Sequence, residues 1–134
     1  MTTADGLTDN NVSAVAVDND GSIWAGTPGK GINILDVPSN PHHVLIYHPL
    51  HDQNIYDILV DPINNKWVAT DNGVFVMTAD GTSILNQYTN ESTSGSLPDN
   101  KVISLAMNRT NGTIFCGTEK GLATLTTAFA TPLR

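Results

Sequence analysis

One cysteine, Cys116, is all the sequence holds, so no internal disulfide can staple the fold. Basic side chains are almost as scarce, with six Lys and Arg against thirteen Asp and Glu, for a formal net charge of −7. That balance has the wrong sign for a protein that gains affinity by neutralising phosphates, which argues against a nucleic-acid partner. Charged residues make up only 14% of the chain, well under the roughly 25% of an average domain. Such a composition suits strands covered on both faces. No run of 18 apolar residues is available to span a bilayer, so no membrane insertion is expected. The opening MTTADGL has neither a basic region nor an apolar run, so no secretory signal peptide is read there. At 134 residues the chain is read as a single domain, 1–134, with a core of its own.

What the sequence does have is an internal repeat. Leu7 opens a pattern that returns at Leu50 and Leu97. Two residues after each comes Asp (Asp9, Asp52, Asp99), then an amide (Asn10, Gln53, Asn100), then a β-branched residue (Val12, Ile55, Val102). A carboxylate or amide closes the following apolar run at Asp18, Asp61 and Asn108, and an aromatic follows at Trp24, Trp67 and Phe115. Thr27, Thr70 and Thr118 come next, and then Gly31, Gly73 and Gly121. A period of about 45 residues indicates a stacked array of one supersecondary unit. Cys116 falls where the other copies have Ala25 and Val68, which makes it a small apolar core residue.

Within each copy the pattern reads as short strands joined by turns. The run VSAVAVD, Val12 to Asp18, is apolar at nearly every position, as expected of an inner strand with neighbours on both faces. Gly21 supplies the turn before a second strand, 22–27, and Asn64 takes its place in the second copy because Asn tolerates a positive φ. A third strand is expected at 32–36 and a fourth at 44–48, after the loop VPSNPHH. The second copy predicts strands at 55–61, 65–70, 73–78 and 83–89, and the third at 102–108, 113–118 and 121–127. Pro132 ends the pattern.

Four-stranded antiparallel units at this period are the blades of a β-propeller. The fold class expected is therefore all-β, about three blades at 7–48, 50–89 and 97–127, an incomplete propeller. L-x-D-N-x-V, an apolar strand and D-x-D-G-x-I-W-x-G-T, with Gly before the third strand, resemble the two-component regulator propeller repeat. That repeat occurs in sensor regions of hybrid two-component regulators of Bacteroidetes. The first copy, with Asp18, Asp20, Gly21, Trp24, Gly26 and Thr27, is nearest the pattern. The second has Lys66 and Ala69 where the pattern has Ile and Gly, and the third has Phe115 for Trp. NNKWVATDNGVFVMTADGT and GTIFCGTEKGLATL are also similar to propeller proteins associated with type IX secretion. Both resemblances imply a periplasmic or cell-surface location.

Propellers close with about four to eight blades, so three leave blade faces at both ends. Exposed apolar faces drive association, so the chain is expected to be a fragment of a larger propeller that, if soluble by itself, pairs with a second copy, the two supplying the six blades of a closed dimer. Trp24, Trp67 and Phe115 are read as blade-to-blade packing rather than as a sugar-stacking platform. Asp9, Asp52 and Asp99, with Asn10, Gln53 and Asn100, are read as turn residues that bond their own backbone. His42, His43, His48 and His51 occur once, without a Cys nearby, and are read as solvated rather than as a metal site. The run Asp18–Gly21 lacks the distal Glu of a calcium loop and is read as a hairpin. GTPGKG lacks the Lys and hydroxyl of a phosphate loop. Sequons begin at Asn11, Asn90, Asn108 and Asn111 and matter only in a eukaryotic secretory route. No cofactor or metal is called.

No pair of carboxylates or nucleophile with a base stands apart from the repeat, so the chain is read as a non-catalytic module. Loops at 7–11, 27–31, 49–54, 70–73, 90–101 and 118–121 should share one face. Residues there that differ between copies are the ligand-binding candidates: Lys30, His51, Asn54, Asp71, Glu119 and Lys120. The resemblance implies a sensor module recognising a glycan or a protein partner. The alternative is a structural or docking propeller of a secretion apparatus, and a propeller lyase or glycosidase comes third.

Overall fold

A computed structural model describes residues 7, 9–35 and 50–125. Among the described residues ten strands run in order: β1 Ala14–Val17, β2 Ile23–Thr27, β3 Gly31–Leu35, β4 Ile55–Val60, β5 Lys66–Thr70, β6 Gly73–Met77, β7 Ile84–Tyr88, β8 Val102–Asn108, β9 Thr113–Thr118 and β10 Gly121–Leu125. They form three antiparallel sheets, β1-β2-β3, β4-β5-β6-β7 and β8-β9-β10, which are blades of an open, partial propeller. The architecture is all-β, and no helix among the described residues is long and apolar enough to cross a membrane. The fourth strand expected at 44–48 lies outside the described residues, as do His42, His43, His48 and the end of the strand expected at 121–127.

The turn-closing carboxylate shows why the repeat has its residues where it does. Asp18 Oδ1 accepts the N–H of Asp20 at 2.9 Å and of Ser22 at 3.0 Å, which folds the β1–β2 turn, and Gly21 completes it at φ 86°. In the second blade Asp61 Oδ1 accepts from Ile63 and Asn65, and Asn64 adopts φ 68° in the glycine's place. The other oxygen of each carboxylate reaches the tryptophan six residues on, the second residue of the next strand. Trp24 Nε1 donates to Asp18 Oδ2 at 3.2 Å, and Trp67 Nε1 to Asp61 Oδ2 at 2.9 Å. Both indoles are fully buried, with their one polar atom satisfied. The third copy changes both partners together: Phe115 has no donor, and the residue at the turn is the neutral Asn108.

A second set of repeated residues ties one blade to the next. Thr27, Thr70 and Thr118 hydroxyls donate to the carbonyls of Gly31, Gly73 and Gly121, closing the β2–β3, β5–β6 and β9–β10 turns. The glycine N–H then crosses to the following blade, from Gly31 to the Gln53 carbonyl at 3.2 Å and from Gly73 to the Asn100 carbonyl at 2.6 Å. The repeated amide positions Gln53 and Asn100 thus receive the preceding blade through their backbone oxygens.

Two apolar clusters fill the spaces between blades. Trp24, Ile32 and Ile34 of blade 1 meet Ile58, Val68, Phe75 and Met77 of blade 2. Trp67, Ala69, Val74 and Val76 of blade 2 meet Val102, Ile114, Cys116, Ala123 and Leu125 of blade 3. Burial pushes the Cys116 thiol up to about 12, so it stays protonated and inert as a core residue. Alternation along each strand means that one blade face looks back to the preceding blade and the other forward to the next. The aromatics of Trp24 and Trp67 both point forward.

The departure from the repeat at Ala69 is also explained by packing. A Cβ on Gly26 would collide with the side chain of Ile55 on the next blade. At the equivalent contact one blade on, Ala69 faces Val102, so the methyl gained on one strand is the methyl lost on the other. One expectation needs correcting. The inner strand of blade 1 is not covered on both faces, because Val15 is 63% and Val17 61% exposed. No preceding blade among the described residues lies against that side, which leaves the alternation of a half-buried strand.

Candidate functional site

The crossing bonds gather the turns of each blade and the approach to the next at one end of the array. Of the six residues singled out there, the structure brings Asn54 and Asp71 together, with Asn54 Nδ2 donating to Asp71 Oδ2 at 2.6 Å. The other oxygen, Asp71 Oδ1, accepts the Tyr56 hydroxyl at 2.7 Å. Lys101 lies over the Tyr56 ring, its Nζ 5.6 Å from the centroid. The hydrogen bond to Asp71, burial, and the charges of Asp71 and Glu119 all raise the Tyr56 pKa, so the phenol remains a donor through the neutral range.

Tyr56 stands out because of the backbone beneath it. Ile55 pairs with Thr70 and Asp57 with Ala69, which leaves Tyr56 as the extra residue of a β-bulge. The same irregularity recurs in blade 3, where Ile103 is extra between Val102 and Ser104. A bulge re-aims the side chain it carries. The three copies place Ser13, Tyr56 and Ile103 at this position, a hydroxyl, a phenol and an alkyl chain. Sequence reading missed Tyr56 because it falls inside an apolar strand, and missed Lys101 because it follows a conventional turn. Both could have been found by comparing copies at strand starts as well as in loops.

The remaining candidates do not join this cluster directly. Lys30 forms an exposed ion pair with Asp9 at 3.5 Å. Asp9 is held below the usual carboxylate range by the Asn11 N–H and then by Lys30. His51 and Lys120 are exposed in turns, and the Lys120 N–H donates to Thr118 Oγ1. Glu119, exposed in the β9–β10 turn, is near enough for its charge to act on Tyr56. Asp9 accepts from Asn11, Asp99 from Lys101, and Asp52 from the Gln53 side chain. Asn72 Nδ2 donates to Gln53 Oε1 at 2.6 Å, linking the β5–β6 turn to the entry of its own blade.

At the opposite end a cleft of about 270 Å³ opens between blades 1 and 2, bordered by Asp18, Asp20, Trp24 and Asp80. Its carboxylates are engaged. Asp18 is bound by Lys66, Asp20 accepts from Asn64 at 3.1 Å, and Asp80 accepts from Thr78 and Thr82. Among the described residues no group of three or more His, Cys, Asp or Glu is arranged to hold a metal ion.

The family described as two component regulator propeller matches residues 6–29. No curated protein matches the chain. Among solved structures, PorZ, an essential bacterial surface component of the type-IX secretion system of Porphyromonas gingivalis, superposes with a TM-score of 0.77 and 33% identity, over 90% of this chain and 18% of its own. The extracellular domain of BT3049 from B. thetaiotaomicron, described as a hybrid two component system, gives a TM-score of 0.72 at 22% identity, over 90% of this chain and 16% of its own. The extracellular domain of BT4673 from the same organism gives 0.71 at 21% identity, over 89% and 16%. The chain thus spans less than a fifth of each of these proteins. The likeness at 21–22% identity is one of fold.

Proposed function

We propose, for a chain that carries the two component regulator propeller repeat, that it is a non-catalytic binding module of a bacterial cell-envelope regulator. Its binding surface is the loop end centred on Tyr56, Asp71 and Asn54, with Lys101 and Glu119 at its edge. The carrying observation is the bulge at Tyr56, which re-aims a phenol held by Asp71 at a position where the other copies carry Ser13 and Ile103. A planar ring beside paired carboxylate and amide groups suits a glycan, which offers hydroxyls to bond and an apolar sugar face to stack. A protein partner is the other ligand the surface suits. By likeness to these extracellular domains, the module sits in the periplasm or at the cell surface.

A second reading, a docking propeller in a secretion apparatus, draws support from the 33% identity to PorZ. A glycan array followed by calorimetry on the chain separates them. The sensor reading expects a glycan hit that Tyr56→Ala and Asp71→Ala each weaken at least about tenfold, or about 1.4 kcal/mol, with thermal unfolding little changed. A blank array, together with capture of a secretion component through the same residues, supports docking. Turnover of a polysaccharide would overturn both readings.

A further inference from the structure

Blades 2 and 3 carry matched pairs of residues at the loop end, one just before the inner strand and one in the turn after the repeated threonine. In blade 2 the pair is Asn54 and Asp71, which bond to each other at 2.6 Å. In blade 3 the same two positions hold Lys101 and Glu119, a cation and an anion. The backbones beneath the two pairs repeat one another. Each inner strand has its bulge, at Tyr56 and at Ile103. Thr70 closes its turn on the Gly73 carbonyl at 3.0 Å, and Thr118 closes the other on Gly121 at 2.8 Å. The N–H groups of Asn72 and Lys120 donate back to those two hydroxyl oxygens, at 2.9 and 3.1 Å. An ion pair between Lys101 and Glu119 would complete the likeness, yet among the described residues only Lys30 and Lys66 form ion pairs. Lys101 instead leans to the preceding blade, its Nζ 5.6 Å from the centroid of the Tyr56 ring, and Glu119 stays exposed. Blade 1 has no such pair, because Pro28 follows Thr27.

We propose that Lys101 has two seats, the Tyr56 ring of blade 2 and the Glu119 carboxylate of its own blade, and that its move to the second uncovers the ring for a neutral sugar. The use of the ring rests on the reading of this loop end as a glycan site. A lysine on its flexible stem can serve either seat, and exposed cation–π contacts and exposed ion pairs are similarly weak, so neither holds it firmly. The ammonium and a stacked sugar compete for the same ring, and a bound sugar therefore shifts Lys101 towards Glu119. Asp71 keeps its place throughout, since Asn54 and the Tyr56 hydroxyl occupy both of its oxygens. A ligand carboxylate would meet the Asp71 charge beside the ring, and a ligand ammonium would add nothing that Lys101 does not already supply there. A neutral sugar meets neither obstacle.

The test is nuclear magnetic resonance of the Lys101 ε-methylene protons, with the urea-unfolded chain as the zero. In the folded chain without ligand, the Tyr56 ring should shift these protons upfield. Glu119→Gln lies at an exposed turn position, so the fold should survive, and it removes the charge of the second seat. The upfield shift should then grow, by up to about twofold for seats equally filled. A bound neutral glycan should bring the shift back towards zero. A shift that Glu119→Gln leaves unchanged overturns the proposal, as does one absent from both folded proteins or one that a bound glycan leaves in place. A chain that binds no glycan fails the site reading instead, and the ligand-free comparison still decides whether Lys101 exchanges.

Discussion

The two interfaces between blades solve one packing problem by different chemistry. Between blades 1 and 2 a fully buried lysine, Lys66, is clamped by Asp18 and two carbonyls over an indole. Between blades 2 and 3 Ile114 takes the corresponding place, and Asp61 has only Trp67 and turn amides for partners. The contrast shows that the repeat fixes the blade itself, its turns and its strand register. How one blade meets the next is set by the residues in which the copies depart from the repeat. A buried ion pair contributes modestly in net terms, because desolvation offsets most of the attraction, yet removing one partner is costly. The first interface should therefore be selective and brittle, the second tolerant.

The largest expected effect follows from that brittleness. Lys66→Ala strands Asp18 beneath Trp24 and should lower unfolding free energy by about 3–5 kcal/mol. Ile114→Val on the other interface should cost only about 0.5–1.5 kcal/mol. Urea denaturation of both variants compares the two directly, and equal losses would erase the distinction.

Next in size is the steric match. Gly26→Ala pushes a methyl into Ile55 and should cost about 1–3 kcal/mol. Adding Ile55→Val reproduces the Ala69–Val102 pairing and should recover most of the loss. A double variant no better than Gly26→Ala would mean that the two interfaces are not interchangeable there.

The smallest effect is in pH dependence, and its sign differs between interfaces. Burial works to raise the Asp18 pKa, but the hydrogen bond and charge of Lys66, with the Ser22 and Asp20 amides, bring it below 3.8. Its contribution is present above the unfolded value and lost as pH falls through the lower folded one. Burial raises the Asp61 pKa above 3.8 against the Trp67 and backbone hydrogen bonds. There the folded state binds the proton more readily, so stability grows as pH falls from neutral through the raised folded value towards 3.8. Asp61→Asn should flatten that gain, and Asp18→Asn should soften the acid loss below it. Urea midpoints across acid pH read both.

Much of this was legible in the sequence. Strands 102–108 and 113–118 stand where the repeat puts them, and Asn64 does adopt the glycine-like turn. β1 is shorter than the apolar run suggested, beginning at Ala14 and ending at Val17, because Asp18 turns its side chain to the hairpin amides. Of the six candidate residues, Asn54 and Asp71, singled out as residues that differ between copies, are the two that hydrogen-bond to each other. Tyr56 was not singled out, because it falls at a strand start inside an apolar run, and the bulge that sets it apart shows only in the strand pairing. Lys66 was visible as a departure from the pattern, but its partner lies 48 residues away on another blade. No local pattern records such a contact.

The claim that the first interface depends on a specific buried pair is tested most directly by a double-mutant cycle on Asp18→Asn and Lys66→Met, read by urea unfolding at neutral pH. The account predicts a coupling of about 2 kcal/mol or more, with the double variant more stable than Asp18→Asn alone. Additive losses, within about 0.5 kcal/mol, would contradict it.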